Sequence, residues 1–391
     1  MSNPFQDPGF FRNPYPTFAA LRSASPVRKV PGGAGQSSYL VTGYAEARAA
    51  FTDPGLSKDT ARFFAGKETG RNLHPAVSQS MLATDPPQHT RLRSLVAKAF
   101  TPGAVALLRP YIARVTDELL DAWVPGERTD AIEALAVPLP VAVICQLLGV
   151  PDADRAAVRT WSNELFAAGQ PERIDSASHA VAGYLADLIT AKRRTPDDSL
   201  LSDLIRARDG GDRLSEDELV SLAVLLLVAG HETTTNLIGN GLLALLQAPE
   251  SLHRLRDDPG LVETAVDELL RLDSPVSMAT FRFATETIRL GETEIPAGSP
   301  VLIAPGAANR DPARFPEPDQ LDLDREPGGH LAFGHGIHRC LGAPLARAEA
   351  GIALRALATR FPRLRLAVPP EELEWRHTRL MRGLVALPVL L

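Results

Sequence analysis

Phe333-Gly334-His335-Gly336-Ile337-His338-Arg339-Cys340-Leu341-Gly342 is the stretch on which the reading of this chain turns. Three glycines within these ten residues, just before a helical pattern that opens at Ala343, predict a tight turn that lets backbone approach something closely. Cys340 stands just ahead of that helix, where backbone N–H groups and the helix dipole favour a thiolate over a thiol. A thiolate is the form in which cysteine ligates a metal. Two other readings stay open on these residues alone. An isolated cysteine is commonly a small buried hydrophobe. Alternatively, His330, His335, His338 and Cys340 supply the donor types of a zinc site, although His-x-Cys is an unusual spacing and the glycine framing has no role there. The other cysteine, Cys145, lies in the apolar run Val141-Ala142-Val143-Ile144-Cys145 and reads as core packing.

Helical periodicity dominates on both sides of this segment. One helix is expected from the end of Asp85-Pro86-Pro87 to Ala99, with proline in its first turn, and another after Thr101-Pro102. Pro138 to Leu148 is almost wholly apolar and is expected inside. The longest candidate opens with Ser215-Glu216-Asp217-Glu218, a capping-box pattern, and continues to Gln247 ahead of Pro249. At about 1.5 Å per residue it would reach roughly 50 Å. Leu261 to Leu272 and Ala343 to Arg360 complete the helical set. Strand signals are short: Ser38 to Val41, Thr280 to Thr285, and Pro300 to Ala304 pairing nearby. These elements predict one mainly helical (α+β) domain over residues 1–391, with a long central helix and small peripheral sheets.

Composition narrows the function. The chain carries 41 Lys and Arg against 47 Asp and Glu, a net charge of −6, so no global positive field exists to engage nucleic-acid phosphates. Two cysteines make no disulfide framework and suit a reducing compartment. The N-terminal residues show neither the basic nor the apolar region of a signal peptide, and the longest apolar run, Leu222 to Gly230, is too short to span a bilayer. A cytoplasmic, monomeric protein without membrane attachment is expected.

Within the long helix, Ala229-Gly230-His231-Glu232-Thr233-Thr234-Thr235-Asn236 interrupts an apolar stretch. Glycine and β-branched residues weaken a helix, and threonine hydroxyls can bend it. Such a break needs a compensating purpose; a groove beside a metal would supply one, and a kink packed against a neighbour is the plainer alternative.

The cysteine segment resembles the haem-binding loop of the cytochrome P450 family, Phe-x-x-Gly-x-x-x-Cys-x-Gly, at Phe333, Gly336, Cys340 and Gly342. The helix break is similar to that family's Ala/Gly-Gly-x-Asp/Glu-Thr element at Ala229, Gly230, Glu232 and Thr233. The resemblance implies haem b (iron protoporphyrin IX) with Cys340 as axial iron ligand, Phe333 shielding the sulfur, and His338, His89, Arg93 and Arg282 reaching the haem propionates. It further implies proton delivery through Glu232 and Thr233, and a structural ion network of Glu268, Arg271 and Arg325. By the same resemblance the substrate pocket would take Phe63, Phe64, Met81 and Leu82 from the loop before His89, and residues around Trp161–Phe166. Leu226 and Ala229 would join from the long helix, then Val276, Met278 and Ala279, and finally the Leu380-Met381 turn. The implied activity is hydroxylation or epoxidation of a bulky hydrophobic small molecule with O2, in secondary metabolism or on a steroid-like substrate. No nicotinamide or flavin domain is visible, so electrons would come from a ferredoxin and its ferredoxin reductase. Arg91, Lys98, Arg339 and Arg347 are candidates for the cationic docking patch. A haem-thiolate protein that couples or binds ligands without inserting oxygen is the alternative, and Glu232 with Thr233 is the feature that separates the two.

Overall fold

A computed structural model describes residue 5 and residues 8–31, 37–67, 70–165, 170–209, 214–326 and 328–391. Phe166, at the end of one pocket stretch named above, lies outside them. The chain groups into two compact units. The first comprises residues 1–57, 116–136 and 233–391, the second 58–115 and 137–232.

The longest helix, Glu216–Gln247, is continuous through the polar break. Its start shows the expected capping box. The Glu218 N–H donates to Ser215 Oγ at 3.1 Å, and the Ser215 N–H donates to a Glu218 carboxylate oxygen at 3.0 Å. Among the described residues it is the one helix long and apolar enough to span a bilayer, but 72% of its apolar window is buried inside the protein, as in a core helix.

In the first unit this helix packs closely where side chains are smallest. A Cβ at Gly241 would stand 3.2 Å from Leu269 and 3.3 Å from Leu354. Leu269 belongs to the helix Val262–Leu272 and Leu354 to the helix Ala343–Arg360. These three helices therefore share apolar faces.

The largest sheet also belongs to the first unit. Its strands run in the order Val27–Pro31, Ser37–Val41, Pro300–Ile303, Arg282–Ala284, Leu56–Ser57. All pairings are antiparallel except that of Ser37–Val41 with Pro300–Ile303. Arg282 lies opposite Val301. A core of Val27, Val41, Ala47, Phe51, Leu56, Ile295, Val301 and Leu331 backs the sheet.

In the second unit, the apolar run Pro138–Leu148 is a buried helix with proline in its first turn. It stops at Gly149, whose φ of 69° suits glycine. The Val150 N–H returns to Cys145 O at 2.8 Å and the Gly149 N–H to Gln146 O at 3.2 Å, closing the free carbonyls of the last turn. The helix expected after Pro87 covers Gln88–Val96 and tightens into a 3-10 turn, Ala97–Phe100.

Candidate active site

The cysteine segment folds as a loop with one 3-10 turn, Gly336–His338, directly ahead of the helix Ala343–Arg360. Gly334 and Gly336 take φ of 69° and 74°, the left-handed region that costs other residues a steric penalty. At Gly336 space is short as well, since a Cβ would stand 3.0 Å from the carbonyl oxygen of Phe51. The Cys340 N–H closes the loop onto Phe333 O at 2.8 Å, and the Arg339 N–H donates to Gly336 O at 3.0 Å. The two cysteines separate cleanly in environment. Cys145 is buried, and burial pushes its thiol pKa up to about 12, so it is an inert core thiol. Cys340 is exposed at the open side of the loop.

Phe333 is steadied from one flank. The Arg347 guanidinium lies 4.6 Å from its ring centroid. Arg347 Nε donates to Asp267 at 2.6 Å, and His330 Nε2 lies 3.5 Å from the same carboxylate oxygen. Burial opposes the charge on Asp267, yet the bonds from His330 and Arg347 prevail and hold its pKa below the usual carboxylate range. Arg347 is thus engaged within the fold, and Arg91 is ion-paired with Glu218. The other two residues proposed for a cationic patch, Lys98 and Arg339, are both exposed.

The acid–base pair one helical turn apart is buried. Arg271 Nε and Nη2 reach the two oxygens of Glu268 at 2.7 and 2.8 Å, with both side chains 2% exposed. Arg325 joins from 3.2 Å, and the Asp322 N–H donates to Glu268 at 3.0 Å. The remaining Arg271 donors go to the carbonyls of Asn309, Pro318 and Gln320.

On the long helix, Glu232 is 1% exposed, whereas Ala229 is exposed and Thr233 half-buried. Leu225, Ala229 and Thr233 succeed one another at four-residue intervals, so an accessible stripe runs along an otherwise buried helix. Gly230 has a packing role: a Cβ there would stand 2.8 Å from Ile144, so the glycine admits the helix Pro138–Leu148. His231 Nδ1 lies 3.3 Å from the Leu227 carbonyl, a contact within the helix.

Arg282 is 3% exposed on its strand, with its guanidinium 5.0 Å from the Phe51 ring centroid. In the second unit His89 is buried, and burial with the neighbouring Arg93 and Lys58 cations lowers its pKa, so the imidazole is neutral at pH 7. The candidate pocket stretches of the first unit meet directly. Val276 bridges Met381, and the Ser277 N–H donates to Leu380 O at 2.9 Å. Val276, Ala279 and Leu380 keep partial access; Met278 turns into a core with Phe5, Phe10, Tyr15 and Phe18. In the second unit Phe63 and Met81 are buried, Phe64 is exposed, and the Phe63 and Phe64 rings meet edge to face. Leu226 is buried and Leu82 half-buried.

The zinc alternative falls on geometry, because no group of three or more His, Cys, Asp or Glu side chains suited to a metal ion occurs among the described residues. A sulfur-held haem fits what is present: an accessible thiol on a loop whose glycines keep backbone low around it, and a buried arginine sharing Phe51 with that loop. Gly342 carries no side chain where a Cβ would stand 4.0 Å from Cys340 Sγ. Three supporting residues were missed in the sequence. Phe51, Asp267 and Asn309 act through partners far along the chain, and no local pattern marks them.

Comparison with known proteins follows the same line. A family model described as Cytochrome P450 matches residues 158–259 and 260–388. The chain is 48% identical over 383 residues to the cytochrome P450 monooxygenase PikC of Streptomyces venezuelae, covering 97% of this chain and 91% of that protein. It is 43% identical over 387 residues to the 6-deoxyerythronolide B hydroxylase of Saccharopolyspora erythraea, covering 96% and 95%. Among solved structures it is similar to the tirandamycin C-bound P450 monooxygenase TamI, with a TM-score of 0.93, 48% identity and coverage of 98% and 99%.

Proposed function

The chain belongs to the cytochrome P450 family and is a cytochrome P450 monooxygenase, and from that premise we propose that it hydroxylates or epoxidises a bulky hydrophobic secondary metabolite in the cytoplasm. Cys340 is the thiolate ligand of a haem b, and a ferredoxin with its ferredoxin reductase supplies the electrons. The observation that carries this reading is the loop that presents the Cys340 thiol, closed by the bond to Phe333 O and shaped by two left-handed glycines. Bound there, the haem supplies dioxygen activation at an iron made electron-rich by sulfur.

The chain's own residues do the rest. Phe333, gripped by Arg347, keeps water from the sulfur. Arg282 and His338 in one unit, and His89 and Arg93 in the other, offer cationic or N–H donors to carboxylates. Thr233, on the accessible stripe, passes a proton from its hydroxyl, and Glu232 replenishes it from the buried side. Glu268, Arg271 and Arg325 carry no chemistry and hold the segment leading to the cysteine loop.

Two relatives, one hydroxylating 6-deoxyerythronolide B and one holding tirandamycin C, support the substrate class. So do the apolar residues that keep partial access, Val276, Ala279 and Leu380, with Met381 buried beside them. The test is a spectral titration of the haem-loaded enzyme with a library of hydrophobic metabolites, watching for displacement of the water on iron, followed by turnover with ferredoxin. The expected product is heavier by one oxygen atom. A coupled product with no added oxygen would assign the non-oxygenating chemistry instead.

A further inference from the structure

The turn Leu380-Met381 is held from three sides, all within the first unit. Its edge pairs with the segment after the helix Val262–Leu272: Met381 bridges Val276, and the Arg382 N–H donates to Pro275 O at 2.8 Å. The long helix holds it from a second side. Asn240 Nδ2 donates to Arg382 O at 3.0 Å, and Asn236 lies so close to Gly383 that a Cβ there would come within 1.9 Å of its amide oxygen.

The third hold is a buried charge cluster. Arg382 Nε donates to Asp273 Oδ1 at 2.6 Å, and its two other nitrogens donate to the carbonyls of Phe11 and Arg12 at 3.1 and 3.3 Å. The guanidinium also lies 3.7 Å from the Trp375 ring centroid. The same Asp273 oxygen accepts the Tyr15 hydroxyl at 2.6 Å, and the Arg310 guanidinium covers the Tyr15 ring at 3.5 Å. A planar fork that reaches three acceptors on two separate segments fixes position more tightly than an ammonium could. Behind it, Phe11 stacks on His377, while Phe5, Phe10 and Phe18 pack with Met278. The first two helices, Pro8–Arg12 and Tyr15–Ala24, therefore back both stretches that meet at Val276 and Met381.

We propose that Tyr15, Asp273 and Arg382 form a buried tether that fixes the Leu380-Met381 turn, which makes them positioning residues for substrate selectivity and the N-terminal helices part of the selectivity apparatus. The proposal rests on the reading of that turn as pocket wall beside a haem held by Cys340. None of the three touches substrate. They act by setting where Leu380 and Met381 stand, so loosening them changes the shape of the pocket and leaves the iron site alone.

The test compares two nitrogen-donor probes on the haem-loaded full-length enzyme, imidazole and 4-phenylimidazole, each followed by the Soret shift. Imidazole reports access to iron; the phenyl group reports the pocket wall. In Arg382→Lys the ratio of the two dissociation constants is expected to move about tenfold, and less in Tyr15→Phe, while imidazole alone stays within about twofold. Arg382→Lys retains charge and Tyr15→Phe removes one hydroxyl, so a graded response separates positioning from general damage. If Arg382→Lys does not fold, Tyr15→Phe decides. An unmoved ratio in folded, haem-loaded variants overturns the tether, as does an equal loss of both affinities. A wild-type enzyme that gives no shift with imidazole defeats the haem reading itself and the tether with it, whereas a normal wild-type shift with an unmoved ratio removes the tether alone.

Discussion

Arg271 donates through Nη1 to the carbonyl of Asn309 at 3.1 Å, and the Asn309 side-chain oxygen accepts the Leu331 N–H at 2.6 Å. One asparagine thus joins the buried Glu268–Arg271 pair to the start of the segment that leads to Cys340. The Gly334 N–H then returns to Leu331 O at 2.8 Å, so the ion network reaches the cysteine loop through three hydrogen bonds in series, the last between main-chain groups. Removing the cation leaves Glu268 buried and short of partners. Arg271→Ala is expected to lose about 3–5 kcal/mol of stability by urea unfolding, together with most of its bound haem on purification. A loss under about 1 kcal/mol, the size of an exposed ion pair, would show that the pair does not support the loop.

The loop's own strain predicts a difference between two glycines. Both Gly334 and Gly336 are left-handed, but a Cβ at 334 would meet nothing closer than 3.7 Å, while one at 336 meets backbone at 3.0 Å. Gly334→Ala should cost about 1–2 kcal/mol for the conformation alone. Gly336→Ala should cost more, because the Phe51 carbonyl must also give way. Rates of haem transfer to apomyoglobin check this. Equal rates in the two variants would place the sensitivity somewhere other than that contact.

Thr233 and Glu232 differ in access, one half-buried on the stripe and one buried. Thr233→Ala is expected to keep haem and substrate binding but divert electrons to peroxide or water, with coupling to product falling by about tenfold or more. Oxygen-consumption and product yields measured together provide the check. Unchanged coupling would remove Thr233 from proton delivery.

Glu349, on the helix after the cysteine loop, is 1% exposed, and its Oε2 has no hydrogen-bond partner among the described residues. Burial raises its pKa well above the usual carboxylate range. Below the unfolded pKa of about 4.3 the acid is neutral in both states and costs nothing extra. As pH rises past that value the unfolded chain ionises while the folded chain holds its proton, so stability drains away with increasing pH. Glu349→Gln should therefore raise Tm more at pH 8 than at pH 5. A shift of the same size at both pH values would mean that the carboxyl ionises freely in the folded protein.

Much of this is legible in the sequence. The Ser215 capping box, the apolar run 138–148 and the glycine spacing around Cys340 are local signals, and each fixed its element to within a residue or two. The Arg282 strand and its pairing with Pro300–Ile303 also followed from local alternation. What stayed hidden depends on distant partners. Gly230 reads as a weak point in a helix until Ile144 is found against it. Arg347 reads as a surface cation until Asp267 and Phe333 are found beneath it. Met278 reads as pocket wall because its type and position fit one, yet the N-terminal phenylalanines bury it. Residue spacing encodes periodicity, not which faces meet.

The claim on which the whole reading rests is that the Cys340 sulfur ligates a haem. The direct measurement is the absorption spectrum of the reduced, carbon-monoxide-saturated protein for wild type, Cys340→Ser and Cys145→Ser. The expected result is the red-shifted Soret band of a thiolate-ligated haem in wild type and in Cys145→Ser, and its loss in Cys340→Ser. A wild-type protein that takes up no hemin, or a Cys340→Ser variant that retains the band, would contradict it.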